Sequence, residues 1–192
     1  FYFNPEISAS YESLEASSTA SVGKKKQAGD FVDFNFIYSL NYDLRNKRYK
    51  PDEGFQNIFS QELPMISDNY EMINSFETIK YQKLPSQMIG KINFKIMAVN
   101  TIKDNDVRLS KRLYIPGKKL RGFEPGKVGP KDSSDDFIGG NYYSSVNLST
   151  TLPQILPSFQ NSDFSLFIDA ANIWGVDYDS SLDKNNDIKS SI

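Results

Sequence analysis

Residues 31–42 constrain this chain more than any other stretch. Val32, Phe34, Phe36, Tyr38, Leu40 and Tyr42 occupy one parity, and Asp33, Asn35, Ser39 and Asn41 the other. An unbroken series of apolar or aromatic residues at every second position specifies a β-strand with one apolar and one polar face. The run is long for a strand of a soluble domain and suits one that crosses a bilayer at a tilt. A half-buried soluble strand alternates in the same way, so this stretch alone leaves a sandwich and a membrane barrel both open.

The same period recurs along the chain. Phe1, Phe3, Ile7, Ala9 and Tyr11 alternate with Asn4, Glu6, Ser8, Ser10 and Glu12, with Pro5 on the apolar parity suggesting a bulge or irregular start. Further strands are expected at about 55–64, 70–84, 88–102, 140–152 and 163–174, with a stub at 188–192. In the middle of these, Asn57, Gln61 and Asn74 break the alternation. Residues 15–30 are small, polar and lysine-bearing and read as a flexible loop, 43–54 as a charged turn, and 176–187 as an acidic loop. No helix is expected. The short connections at 65–69 and 85–87 make their neighbours antiparallel hairpins. Two connection classes are expected to alternate along the chain, one shorter and the other longer or glycine-rich, as periplasmic turns and extracellular loops do in outer-membrane barrels.

Composition narrows the chemistry. The chain has no His and no Cys, which removes imidazole acid–base catalysis, thiol nucleophiles and the usual zinc, copper and iron sites. A net charge of −2 implies no bulk attraction to nucleic acid. No apolar run approaches the roughly twenty residues of a membrane helix, whereas a barrel strand needs only about ten. Asp177, Asp179, Asp183 and Asp187 invite a calcium reading, but Leu182 stands where an EF-hand loop turns on glycine and Ile188 where it ends on Glu. Asp135-Asp136 has no accompanying base and reads as loop charge. Neither a metal nor a cofactor is expected, nor a catalytic residue. The chain opens mid-strand and stops at the start of another, so it reads as a fragment.

The segment 114–175 carries the most specific signals. Tyr114-Ile-Pro-Gly117 is followed by Leu120-Arg121-Gly122-Phe123, then Val128-Gly129-Pro130. Gly139-Gly140-Asn141 opens the next strand, and Phe167-Ile-Asp169-Ala-Ala171-Asn-Ile-Trp174 closes the segment. These motifs, in this order, resemble the outer-membrane protein assembly family typified by BamA, and the likeness extends to the turn carrying Asp43, Arg45, Pro51 and Gly54.

The resemblance implies an all-β fold: an antiparallel transmembrane β-barrel fragment, about seven strands and a stub of a sixteen-strand barrel. Residues 1–192 would form part of one barrel domain as an open curved sheet, with a loop at 103–139 folded into the lumen. It implies further that Arg121 meets Asp169 on the inner wall, that Gly122 permits the tight backbone, and that Phe123 wedges against that wall. The implied role is a latch. Ala171 replaces the family's usual Gly, and where an acid often helps to hold the arginine this chain reads Asn147-Leu-Ser-Thr-Thr151, so no second partner for Arg121 is assigned. The implied activity is insertion of client outer-membrane proteins without ATP or a chemical step. The implied partners are unfolded outer-membrane clients, accessory assembly lipoproteins and membrane lipid, and the implied location is the outer membrane of a Gram-negative cell. A translocation or autotransporter-assembly relative, a plugged passive pore and a soluble ligand-binding barrel stand as alternatives.

Overall fold

The computed structural model describes residues 1–103, 106–132, 134–152 and 164–176. Strands β1 (Tyr2–Leu14), β2 (Gly29–Asp43), β3 (Gly54–Ser67), β4 (Glu71–Lys83), β5 (Ile89–Thr101), β6 (Tyr142–Thr151) and β7 (Ser165–Trp174) form a single sheet in sequence order. Each neighbouring pair is antiparallel, and β1 and β7 are the edges of this open sheet. The fold is the all-β one expected. The stub at 188–192, the turn with Pro153 and Pro157, and the four aspartates of the acidic loop lie outside the described residues.

Register assigns the faces. Asp33 and Asn35 of β2 pair with Ser67 and Pro64 of β3 and, across β1, with Ser10 and Ser8. Asp33 and Asn35 are buried, whereas Val32 and Phe34 on the opposite parity are 53% and 39% exposed. The buried side is the one covered by the long connection between β5 and β6; we call it the inner face. Apolar side chains of the outer face have no protein over them: Phe3, Ile7, Tyr11, Ile92, Val146, Leu148, Leu166 and Ile168 are all exposed. The hydrophobic core lies instead between that connection and the inner face. Val107, Leu113, Ile115, Leu120 and Val128 pack there with Val99, Tyr143, Ala171 and Ile173. A soluble barrel would bury the even parity of β2, and this sheet does not.

The three residues that interrupt the alternation find polar partners across the strands. Gln61 and Asn74 are direct cross-strand partners on the outer face. Gln61 donates to Asn74 Oδ1 at 2.5 Å and accepts from the Tyr38 hydroxyl at 2.8 Å. Asn57 accepts from its partner Thr78 at 2.6 Å. The breaks are pairs of amides and hydroxyls that satisfy one another, which is what an apolar surrounding demands of a polar group.

Three expectations need correction. Residues 22–26 form a short helix, capped by the Ser21 hydroxyl, where only loop was expected. Gln27, just after it, is held by the long connection, accepting from the Leu109 amide at 2.9 Å, so tertiary contacts order what local propensity leaves undecided. Pro5 causes no bulge: β1 runs in unbroken register through Pro5↔Tyr38. On an edge strand the missing N–H points away from the ladder at no cost. The bulge occurs instead between Phe34 and Asn35, opposite Pro64 and Met65. Pro64 lies beyond the last β3–β4 pair, Glu62↔Ile73, so no bond to β4 is lost there. Finally, connection length does not sort the two ends. The tight 68–70 turn shares its end with the 102–141 connection, while the longer 44–53 turn lies at the other.

The face assignment makes a measurable pattern. Single cysteines placed at successive positions of 31–42, in a chain that has none, should react alternately with lipid-soluble and water-soluble reagents when the full-length protein is in bilayers. Even positions should take the lipid-soluble one. Uniform aqueous labelling would mean that the outer face does not meet lipid.

Candidate functional site: a loop strapped across the inner face

Strands that place most of their carboxylates on one face create a wall lined with carboxylates and amides, and a loop rich in Arg and Lys is its natural counterpart. The connection 102–141 reaches every strand. On β1, Glu12 accepts from Ser110 at 2.7 Å. On β2, Asp33 takes Arg108. Glu62 of β3 pairs with Lys111 at 3.1 Å, and Glu77 of β4 with Lys119 at 2.7 Å. Lys119 also binds Asn93 of β5, and its carbonyl accepts from Asn147 of β6 at 2.8 Å. Arg121 reaches Asp169 of β7.

Arg121 and Asp169 meet by three hydrogen bonds. Nε donates to Oδ2 and Nη2 to Oδ1, both at 2.7 Å, and the Arg121 amide donates to Oδ2 at 3.0 Å. The planar fork against a carboxylate is the bidentate arrangement that Lys cannot reproduce. The guanidinium also lies 3.5 Å from the ring centroid of Phe167, two residues earlier on the same face. The Asp169 carboxylate raises the Arg121 pKa, a shift that burial only partly opposes. Asn147 stands where the resembled family often has an acid. It is the cross-strand partner of Asp169 and donates to it at 2.9 Å. Its amide thus braces the carboxylate, and the second group on Arg121 is the Phe167 ring.

The remaining motif residues shape the loop. Gly122 has φ +88°, a left-handed value that glycine adopts without strain. Gly129, at φ +121°, lies so close to Ile173 that a Cβ would sit 2.2 Å from its Cγ2. Pro130 accepts from the Ile138 amide at 3.1 Å, closing the loop's return. Gly140 is equally tight against the Trp174 backbone and bridges to Leu113, while Asn141 continues the ladder to both neighbours through Val99 and Gly175. Gly139 packs under Tyr114, Gly117 against Pro125, and Trp174 stacks on Tyr142 on the outer face. Phe123 is 45% exposed.

A second ionic cluster has no counterpart among the motifs. Arg108 is 2% exposed. Its Nε and Nη2 donate to Glu71 Oε2 at 2.9 and 2.7 Å, its amide to Glu71 Oε1 at 2.6 Å, and Nη2 to Asp33 Oδ2 at 2.5 Å. Glu12 lies 3.6 Å from Nη1, and the Phe31 ring is 4.6 Å from the guanidinium carbon. The signal was available in part: Asp33 and Glu71 stand on strands whose inner face is enclosed, and enclosed carboxylates require a cation. At the loop's far turn, Asp132 accepts from Ser21 at 2.9 Å and lies 3.2 Å from Lys24, tying the 15–28 connection to the long one. Burial works to raise the pKa of Asp132, but the Asp136 amide, Ser21 and Lys24 outweigh it and hold it below 3.8.

The sequence matches the Omp85 superfamily domain over residues 3–192. The chain belongs to the Omp85 superfamily. Among solved structures, this Omp85 chain is similar to BamA from Haemophilus ducreyi lacking POTRA domains 1–3, with a TM-score of 0.70 and 25% identity. The match covers 79% of the Omp85 chain described here and 32% of that protein, so this chain spans about a third of its length. The open seven-stranded sheet is thus part of a BamA-type outer-membrane β-barrel.

Two outcomes test the site. Arg121→Ala and Asp169→Ala should each lower the unfolding midpoint of the full-length protein, with a double-mutant coupling of about 1–2 kcal/mol, modest because Arg121 keeps 36% of its side chain exposed. Additive effects would deny the direct pair. Arg108→Ala should be worse, by about 3–5 kcal/mol, because it leaves Asp33 and Glu71 buried and uncompensated. The Asp132 contact has a defined pH sense. Since its pKa is depressed, the contact is complete above the ordinary carboxylate value of 3.8 and is lost as pH falls below it. Spin labels at Lys26 and Ser134 should separate on acidification below that value, and Asp132→Asn should separate them at neutral pH.

Proposed function

We propose that this barrel segment belongs to an outer-membrane assembly factor that folds and inserts client β-barrel proteins without ATP or covalent chemistry. The observation that carries the reading is the Arg121–Asp169 contact, which fastens a long loop to the inner face of an Omp85 barrel. Its groups neutralise one another and present no activated nucleophile, so the contact suits holding a shape. The work available to such a protein is physical. A nascent strand entering hydrocarbon carries unpaired N–H and C=O groups, each costing several kcal/mol, and a barrel that disturbs the bilayer or offers a strand edge lowers that barrier.

In this reading the 103–139 loop is a latched lumenal element, and Arg121, Gly122, Phe123 and Asp169 form the latch. Phe123 then wedges against the lumen wall. Upstream periplasmic domains, such as the POTRA domains of the similar BamA, would receive unfolded clients, and accessory lipoproteins would assist.

The test uses the full-length protein in liposomes. A denatured outer-membrane protein should acquire protease resistance several-fold faster than in empty liposomes, and Arg121→Ala or Asp169→Ala should remove most of the gain. Conductance without acceleration would identify a passive pore instead. Export of a passenger across the membrane without faster client folding would identify a translocation relative.

A further inference from the structure

The outer face is not evenly filled. At the end of the sheet remote from the 102–141 loop, the cross-strand row Gln82–Gly90–Thr150–Leu166 runs beside the row Lys80–Ile92–Leu148–Ile168. Gly90 contributes no side chain, and a groove of about 370 Å³ opens over it. Leu84, Ile92, Leu148, Leu166 and Ile168 line the groove, and Lys80 stands at its rim.

Lys80 is the second relevant feature. It is exposed and, among the described residues, has no carboxylate partner, whereas Lys83, three residues on, is engaged by Asp52 and Glu53. Its cross-strand neighbours are Phe55 and Ile92, both apolar positions of the outer face. Phe55 in turn packs edge-on against Tyr42, with ring centroids 5.8 Å apart. An aromatic pair close to the strand ends is the mark of the membrane–water boundary, and a lysine at that level extends its ammonium to the headgroups while its stem stays in the apolar zone.

Resting on the membrane reading above, we propose that this groove binds one phospholipid of net negative charge, its phosphate on the Lys80 ammonium and the upper part of an acyl chain in the groove over Gly90. Charge selects the headgroup: an unpaired cation at the boundary favours an anionic lipid over a zwitterionic one of equal chain length. The apolar side chains of Leu84, Ile92, Leu148, Leu166 and Ile168 that line the groove suit an acyl chain.

Photo-crosslinking tests the proposal. The full-length protein is reconstituted in phosphatidylcholine bilayers carrying a diazirine either on phosphatidylglycerol or on phosphatidylcholine, and adducts are mapped by mass spectrometry. Phosphatidylglycerol should label residues around Lys80, Gly90, Leu148 and Leu166 several-fold more than phosphatidylcholine does. Lys80→Glu and the milder Lys80→Gln should abolish that preference. Gly90→Leu should remove labelling by either lipid; an added Cβ meets the flexible Leu84 side chain at 3.1 Å and the Gln82 carbonyl oxygen at an ordinary 3.6 Å, so Gly90→Ala serves as the folded control with partial loss. Equal labelling by both lipids, unchanged in the variants, would overturn the proposal and leave ordinary boundary lipid. Labelling of Val32, Phe34 and Phe36 without labelling of the groove would overturn it while the membrane reading stands. Labelling of neither would overturn both.

Discussion

The structure depends on one electrostatic constraint. A strand period of two places Asp33, Glu62, Glu71, Glu77 and Asp169 on a single face, and carboxylates that are enclosed must be neutralised. One loop supplies the cations, Arg108, Lys111, Lys119 and Arg121, in chain order from the β1–β4 side of the sheet to β7. The apolar residues of the same loop then complete a core that the sheet could not make alone, since its other apolar face has no protein against it. Charge fixes where the loop lies, and hydrophobic burial of Leu113, Ile115, Leu120 and Val128 contributes the stability.

The two arginines do different physical work. Arg121 is partly open to solvent and uses a bidentate fork, a backbone amide and a ring to define orientation. Arg108 is closed off and joins carboxylates from separate strands, so removing it would strand those charges rather than merely free a loop. Asn147 shows how a site tolerates a missing acid. A neutral amide opposite Asp169 donates where a second carboxylate would have repelled, and the arginine keeps one full counter-charge.

Much of this was legible in the amino-acid order. The alternation of residues 31–42 gave both faces, and the resemblance of the 114–175 motifs to the outer-membrane assembly family singled out Arg121 and Asp169. Arg108 did not, because Val107-Arg108-Leu109 has no local pattern and its partners are 37 and 75 residues away. The helix at 22–26 was hidden for a related reason: three lysines in a row signal solvent until Asp132 and Asp136 arrive from the far turn of another loop. Asn57, Gln61 and Asn74 looked like faults in two strands. They are complementary pairs visible only when the strands are set side by side.

A strap that touches all seven strands is also a gauge of their alignment. The pocket for Arg108 is assembled from β1, β2 and β4, and a slip of one residue in any of them would turn its carboxylate to the opposite face. The loop therefore finds its seat only on a wall whose strands are all in step.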